Sequence, residues 1–201
     1  EQMRDFEHTD DLLIQDRVKS IIDTDILYIL FTSGSTGDPK GVIISHKATI
    51  AYTEWGTKAF NVDCNTIIGN QTPFYFSMSV FDIFQMIKNG STLYIIPKIM
   101  FSFPMLLLRF ISEKKINLIY WVPSALCLVA NLKALGKVDI SCVDKVLFAG
   151  EVMPAKQYNL WKNALPKAYF ANLYGPTETT DICNYYPILR EINDDEVIPI
   201  G

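Results

Sequence analysis

Short runs of apolar, strand-forming residues alternate with longer segments of mixed polarity along most of the chain. The apolar runs predict strands at residues 26–32, 42–45, 66–70, 92–96, 118–121, 145–149 and 169–173. The segments between them predict helices at residues 46–60, 79–88, 104–114, 124–135 and 154–164. Residues 1–25 are charged and lack a clear period, which fits either a surface segment or part of a helix. This alternation predicts an α/β fold with largely parallel sheets flanked by helices.

Composition supports one globular unit and removes several classes of function. The 201 residues are 49% hydrophobic and 20% charged, which is enough to bury a sizeable core. A net charge of −4, without a basic run longer than two residues, gives no reason to expect nucleic acid. Four cysteines lack C-x-x-C spacing and predict reduced thiols, while two separated histidines are too few for a His-based metal site. No apolar stretch reaches the ~18 residues of a membrane helix, so we expect a cytoplasmic protein without a membrane partner.

A segment of small polar residues directly follows the first predicted strand. Residues 32–38 consist only of Thr, Ser, Gly and Asp, and Pro39 and Lys40 come next. Small residues let backbone N–H groups approach an anion, hydroxyls add donors, and a lysine adds positive charge. The pattern therefore predicts a polyphosphate site, although it lacks the spacing of a Walker loop. A solvent-exposed Ser/Gly loop is the alternative.

The literal sequence of this segment favours the first interpretation. Residues 28–41 resemble the phosphate loop of the adenylate-forming superfamily, which includes acyl-CoA synthetases, luciferases and the adenylation domains of peptide synthetases. Residues 172–179 resemble the N-x-Y-G-P-T-E-T segment of the same superfamily, and they follow in the family's order. The most similar branch activates amino acids, and it includes D-alanine–carrier protein ligases. The resemblance implies the fold of the family's large N-terminal domain.

The resemblance also implies a reaction and a set of roles. The family joins a carboxylate to the α-phosphorus of ATP, releases pyrophosphate, and transfers the acyl group to a thiol. Thr177 would contact the α-phosphate or the acyl carboxylate, and Glu178 would bind Mg²⁺, so these two are the catalytic candidates. Asn172 would contact adenine and Tyr174 would stack on it. The implied ATP-binding residues are Thr32, Ser33, Gly34, Ser35, Thr36, Gly37, Lys40, Gly150, Glu151, Asn172, Tyr174, Gly175 and Thr177. For Glu151, an acid at the start of a helix is the alternative.

The implied acyl pocket departs from the family pattern at one position. Residues 76–84 resemble the amino-acid-activating motif F-D-x-S-V-x-[DE]-x-[FY], but Ser77 stands where an aspartate usually holds the substrate's α-ammonium. Asp181 is either a solvated turn residue or a relocated anchor for an amino group in a different place. The implied pocket residues are Ser77, Met78, Phe81, Trp121, Leu147, Ala149, Leu173, Asp181 and Ile182.

The resemblance covers residues 1–201 but corresponds to only the middle of the family's large domain. We therefore expect a fragment of an adenylation domain, without the small C-terminal subdomain and its catalytic lysine, and inactive by itself. The implied parent activity is ATP-dependent activation of a carboxylic acid, with an amino acid as the first candidate and a phosphopantetheinylated carrier protein as acceptor. An aryl- or hydroxy-acid-activating ligase and a non-catalytic nucleotide-binding homologue are the two alternatives.

Overall fold

A computed structural model describes residues 11–32 and 37–201. The strands in this part are β1 (Ile26–Thr32), β2 (Lys40–Ser45), β3 (Ile67–Asn70), β4 (Thr92–Ile95), β5 (Leu118–Trp121), β6 (Lys145–Ala149), β7 (Tyr169–Tyr174) and β8 (Asn184–Pro187). The helices are α1 (Asp11–Ser20), α2 (His46–Ala59), α3 (Met78–Asn89), α4 (Pro104–Glu113), α5 (Pro123–Asn131) and α6 (Ala155–Ala164). Short 3₁₀ helices span Lys98–Ser102 and Thr177–Thr179.

Six of these strands form one sheet in the order β4-β3-β5-β6-β7-β8. Strands β3 to β7 run parallel, because a helix carries the chain back after each strand, and β8 returns antiparallel to β7. The central strand β5 is fully buried, which explains its continuous apolar sequence.

Helices cover both faces of the sheet, which separates two cores. Helices α2 and α3 pack on one face, where Phe60, Phe81 and Tyr120 form edge-to-face ring contacts. Helices α4, α5 and α6 pack on the other face, around Trp121 and Trp161. Successive side chains of a strand in this sheet enter opposite cores. Two adjacent residues of a strand therefore lie on opposite faces of the sheet.

Strands β1 and β2 form a separate antiparallel hairpin beside the main sheet. Strand β2 lies against the 3₁₀ helix Thr177–Thr179, and the Tyr28 hydroxyl donates to the Thr180 carbonyl at 3.4 Å. Burial raises the pKa of Tyr28 to about 12, and the charge of Asp181 adds to that rise. The hairpin is therefore held close to the turn that follows β7.

The predicted α/β class is confirmed, and each predicted strand is present with its ends moved by no more than two residues. Two differences have local causes. Strand β8 was not predicted, because its four residues end at a proline and it pairs only along one edge. The helix predicted at 124–135 ends at Asn131, and Gly136 (φ 80°) lies beyond it in a turn. Within the charged N-terminal segment, α1 is helical.

Candidate active site

A cavity of ≈ 410 Å³ opens at the carboxyl ends of β5, β6 and β7. Parallel α/β sheets commonly bind ligands at this edge, because the loops that leave successive strands converge there. The cavity is lined by Gln71, Thr72, Pro73, Phe76, Ser77, Met78, Val122, Ala149, Gly150, Glu151, Gly175, Asp181 and Ile182.

Asp181 lies in the wall of this cavity and is only 1% exposed. The hydroxyls of Tyr52 and Tyr120 both donate to its Oδ2 atom, at 2.6 Å and 3.2 Å. Burial raises the pKa of Asp181 to about 6, and the hydroxyls of Tyr52, Tyr120 and Ser77 partly offset that rise. The carboxylate is thus a buried, well-positioned acceptor rather than a solvated turn residue.

A second buried carboxyl group, Asp82, lies beneath the cavity on α3. Its Oδ2 accepts a hydrogen bond from the Asn70 side-chain amide at 2.7 Å, and its Oδ1 has no partner among the described residues. Burial raises its pKa to about 8; the Asn70 hydrogen bond lowers it in part, and the charge of Asp181 raises it further. Asp82 therefore favours its neutral form near pH 7.

Most of the predicted pocket residues are brought together. Ser77, Met78, Ala149, Asp181 and Ile182 line the cavity. Phe81, Leu147 and Leu173 lie beneath it in the core on the same face of the sheet. Ser77 is the N-cap residue of α3, but its hydroxyl makes no capping hydrogen bond.

Trp121 is the predicted pocket residue that the structure contradicts. Its indole lies in the core on the opposite face of the sheet, against Phe101, and its N–H donates to the Gly69 carbonyl at 2.8 Å. The neighbouring Tyr120 points toward the cavity side and was missed. Adjacent residues of a strand face opposite sides, so Tyr120 and Trp121 cannot both face the cavity, and the apolar sequence of β5 does not show which one does.

The turn after β7 forms one rim of the cavity. Tyr174 is half exposed, Glu178 is exposed and Thr177 is partly buried in the 3₁₀ helix. A side chain at Gly175 would come within 2.1 Å of the Asp181 carbonyl oxygen and 2.6 Å of the Ile182 Cα. The turn is therefore packed directly on the backbone that carries Asp181.

Gly150 and Glu151 form the opposite rim, after β6. Gly150 has a φ of 88°, which a residue with a side chain rarely adopts. The Glu151 carboxylate accepts a hydrogen bond from the backbone N–H of Ser124 at 2.8 Å. Glu151 thus caps α5, not the following helix α6 that the sequence suggested, and it also lines the cavity.

Asn172 is not brought into the cavity. It lies on the face of β7 opposite to Leu173, and its side-chain amide donates to the Pro199 carbonyl at 2.8 Å. The Asn172 amide group is therefore already bound to the C-terminal segment, and the adenine contact stays a prediction.

The predicted phosphate segment is only partly described. Thr32 and Lys40 oppose each other at the loop end of the β1–β2 hairpin, and Gly37 has a φ of 95°. Ser33, Gly34, Ser35 and Thr36 lie outside the described residues. Because β2 contacts Thr177–Thr179, the hairpin and the Glu178 turn lie beside each other.

Comparison with known proteins agrees with this geometry. The pattern of the family described as AMP-binding enzyme matches residues 2–201. The chain belongs to the AMP-binding enzyme family. A D-alanine–D-alanyl carrier protein ligase of Bacillus cytotoxicus is 34% identical over 187 residues, which is 90% of this chain and 36% of that protein. An L-proline–[L-prolyl-carrier protein] ligase of Pseudomonas fluorescens is 34% identical over 176 residues, covering 88% and 35%.

Solved structures of this family share the fold. The Vibrio cholerae adenylation domain AlmE, in complex with glycyl-adenosine-5′-phosphate, superposes with a TM-score of 0.80 at 26% identity, covering 97% of this chain and 36% of that one. The peptide synthetase FmoA3 superposes with a TM-score of 0.80 at 22% identity, covering 89% of this chain and 19% of that one, which supports the fold alone. The chain spans about a third of the length of the curated relatives it matches.

In residues 11–32 and 37–201, every helix is too short or too polar to span a lipid bilayer. The same residues contain no group of three or more His, Cys, Asp and Glu side chains that could bind a metal ion.

Proposed function

We propose that this chain forms part of an ATP-dependent, AMP-forming ligase that activates an amino acid. The observation that carries the proposal is the cavity at the carboxyl ends of β5 to β7, with the Tyr174–Glu178 turn on its rim and a buried carboxylate in its wall. In the first step a substrate carboxylate oxygen bonds to the α-phosphorus of ATP and the bond to pyrophosphate breaks. In the second step a thiolate bonds to the acyl carbon and AMP leaves.

Residues of the hairpin and of the turn after β7 fit a nucleoside triphosphate. Thr32 and Lys40 would contact the β- and γ-phosphates from the hairpin, since Lys40 is exposed and the hairpin contacts the 3₁₀ helix. Tyr174, half exposed, offers a ring on which adenine can stack. Thr177 would donate to the oxygen that gains charge during attack.

Magnesium fits this site through Glu178. Its carboxylate is exposed beside Thr177 at the turn, and Mg²⁺ is usually held by one or two carboxylates together with phosphate oxygens and water. When bound, the ion would neutralise phosphate charge.

The buried carboxylate distinguishes the two substrate classes left open by the sequence. An aryl or hydroxy acid offers no cation to Asp181, so its binding would leave a desolvated carboxylate without a charged partner. An amino acid offers an ammonium group. The carrier-protein ligases among the relatives support a phosphopantetheinylated carrier protein as acceptor, and ATP consumption fits a cytoplasmic reaction.

Acid-dependent exchange of labelled pyrophosphate into ATP tests the proposal. The assay uses the protein produced from the complete reading frame and a panel of amino, hydroxy and aryl acids. We expect exchange with amino acids, and we expect Glu178→Gln to reduce it by about a hundredfold or more at unchanged thermal stability. The exposed Glu191→Gln is the matched control and should exchange normally.

Two outcomes would contradict this proposal. Nucleotide binding without exchange for any acid would favour a non-catalytic homologue. Normal exchange by Glu178→Gln would remove Glu178 from the magnesium site.

A further inference from the structure

The cavity wall contains two carboxylates in different situations. Glu151 is exposed and accepts the Ser124 N–H, so its charge is compensated at the start of α5. Asp181 is 1% exposed and accepts only hydroxyl groups. No Lys, Arg or His lines the cavity, and none of the ion pairs among the described residues includes Asp181.

The tyrosine hydrogen bonds to Asp181 fall on one of its oxygens. Tyr52 reaches the carboxylate from α2 and Tyr120 from β5, and both donate to Oδ2. Ser77 adds a third hydroxyl beside the carboxylate, so each of these donors is neutral. Neutral donors orient a carboxylate but do not balance its charge, so a cation entering the cavity gains a strong partner.

From this arrangement we infer that Asp181 binds the ammonium group of the substrate, and that the substrate carries this group beyond its α-carbon, as a β- or γ-amino acid does. The inference rests on the proposed function and names its substrate class. Tyr52 and Tyr120 act as positioning residues, because they hold the carboxylate without contacting the reacting atoms.

The depth of Asp181 supports the displaced amino group. Asp181 is buried in the cavity wall, whereas Thr177 is partly buried and Glu178 is exposed at the rim. The substrate carboxylate must reach the rim to meet the α-phosphate, while its ammonium must reach the buried oxygen. An α-amino acid has a single carbon between these groups, whereas a β- or γ-amino acid provides a longer path from the rim to the buried wall.

Matched acids test the position of the amino group. The first series is butanoate, 2-aminobutanoate, 3-aminobutanoate, 4-aminobutanoate and 3-hydroxybutanoate, and the second is 3-phenylpropanoate, phenylalanine and 3-amino-3-phenylpropanoate. In pyrophosphate exchange by the protein from the complete reading frame, we expect the best 3- or 4-amino acid to exceed its 2-amino and unsubstituted counterparts by about tenfold or more in kcat/KM.

Variants test the anchor itself. Asp181→Asn should reduce kcat/KM for the preferred amino acid by about a hundredfold and abolish its preference over the unsubstituted acid, because a neutral amide no longer favours a cation. The exposed Asp195→Asn is the matched control and should change neither value. Tyr52→Phe should raise the KM for the amino acid by about tenfold and leave the KM for ATP unchanged.

A second variant, in which the carboxylate is relocated, tests the anchor even if Asp181→Asn does not fold. In Ser77→Asp/Asp181→Ser the carboxylate moves to the other side of the same cavity, so the preference among the 2-, 3- and 4-amino acids should change while exchange persists.

The outcomes separate this inference from the proposed function. Highest activity with an α-amino, aryl or hydroxy acid, or unchanged kinetics in Asp181→Asn, would overturn the inference and leave the ligase intact. No exchange with any acid would overturn both.

Discussion

The Asp82 carboxyl group is buried with one oxygen bonded to Asn70 and the other without a partner among the described residues. The charge of Asp181 raises the pKa of Asp82, so two acidic groups share one low-dielectric region. Asp181 is stabilised by the hydroxyls of Tyr52, Tyr120 and Ser77, whereas Asp82 has a single amide donor. The structure therefore favours a charged Asp181 and a neutral Asp82, because each additional donor stabilises the ionised form.

Asp82 should make the stability of the fold depend on pH. Its pKa is about 8 in the folded protein, above the ordinary value near 4, so the folded state binds the proton more tightly than the unfolded state. The free energy of unfolding should then fall as the pH rises from about 4 to about 8, by up to about 1.4 kcal/mol per unit. Asp181, with a pKa of about 6, acts in the same direction over the lower part of this window.

Asp82→Asn should flatten this dependence and exceed the wild type in stability near pH 8. The amide keeps an acceptor for Asn70 and has no charge to desolvate. Urea unfolding at several pH values between about 5 and about 8 measures the effect, with Asp195→Asn as an exposed control. Parallel pH profiles for wild type and Asp82→Asn would contradict the assignment of a neutral Asp82.

Residue-level chemistry was predictable where a motif fixes the position, and less so where only a strand does. The sequence identified Asp181 and Ser77, which line one cavity in the structure. It assigned Trp121 to that cavity in place of Tyr120, since a short, fully apolar strand gives no polar alternation to show which side chains face which core. The Tyr52 contribution was not visible, because it comes from a helix 129 residues away in sequence.

At the scale of elements, the loops that follow β6 and β7 are positioned by contacts with other parts of the chain. Glu151 joins the β6 loop to the N-terminus of α5, and Gly175 lets the β7 turn pack on the Asp181 backbone. The strands were predictable from apolar runs and the Gly90 cap from its position after α3, where φ is 67°. Contacts between loops were not predictable, since no local pattern specifies which helix an exposed acid will cap.

Replacing Glu151 should separate its capping role from a nucleotide role. Glu151→Ala removes the acceptor for the Ser124 N–H, and we expect a loss of about 1 kcal/mol in the free energy of unfolding. Glu151→Gln keeps an acceptor oxygen and should recover most of that loss. If Glu151→Gln has normal stability but a raised KM for ATP, the charge also serves the nucleotide; equal stability of Glu151→Ala and the wild type would refute the cap.

Gly175→Ala tests the close packing of the β7 turn. The new methyl group would overlap the backbone of Asp181 and Ile182, which cannot rotate away as a side chain could. We expect about 1–3 kcal/mol of destabilisation in chemical unfolding, together with a raised KM for the amino acid because Asp181 shifts. Gly90→Ala is an informative comparison, since its cost would come from a positive φ without any steric contact. Wild-type stability in Gly175→Ala would show that the turn is loosely packed.

At the scale of the whole molecule, the order of the motifs predicted the fold better than composition did. The α/β class, the position of the cavity at the strand ends and the membership of the AMP-binding enzyme family are consistent with one another. The placement of the β1–β2 hairpin was not predictable, because it depends on contacts with the 3₁₀ helix Thr177–Thr179 and with Thr180. In this placement, one face of the hairpin remains exposed.

The hairpin exposes an apolar face on its outer side. Ile29, Phe31 and Ile43 are 47%, 73% and 60% exposed, and Ile29 pairs directly with Ile43 across the hairpin. Adjacent exposed apolar side chains on a two-stranded sheet favour association, since each side chain that becomes buried contributes about 1.5–3 kcal/mol. We therefore expect the 201-residue chain to self-associate as its concentration rises.

Sedimentation velocity over a range of concentrations measures this association. Phe31→Thr/Ile43→Thr places β-branched residues at both strand positions while removing most of the apolar area, and it should weaken association by about tenfold or more without lowering the melting temperature. Leu189→Thr is the matched control, because Leu189 is 81% exposed but lies outside the hairpin. A wild-type chain that stays monomeric at about 100 μM, or an equal effect of Leu189→Thr on association, would show that the hairpin face does not drive self-association.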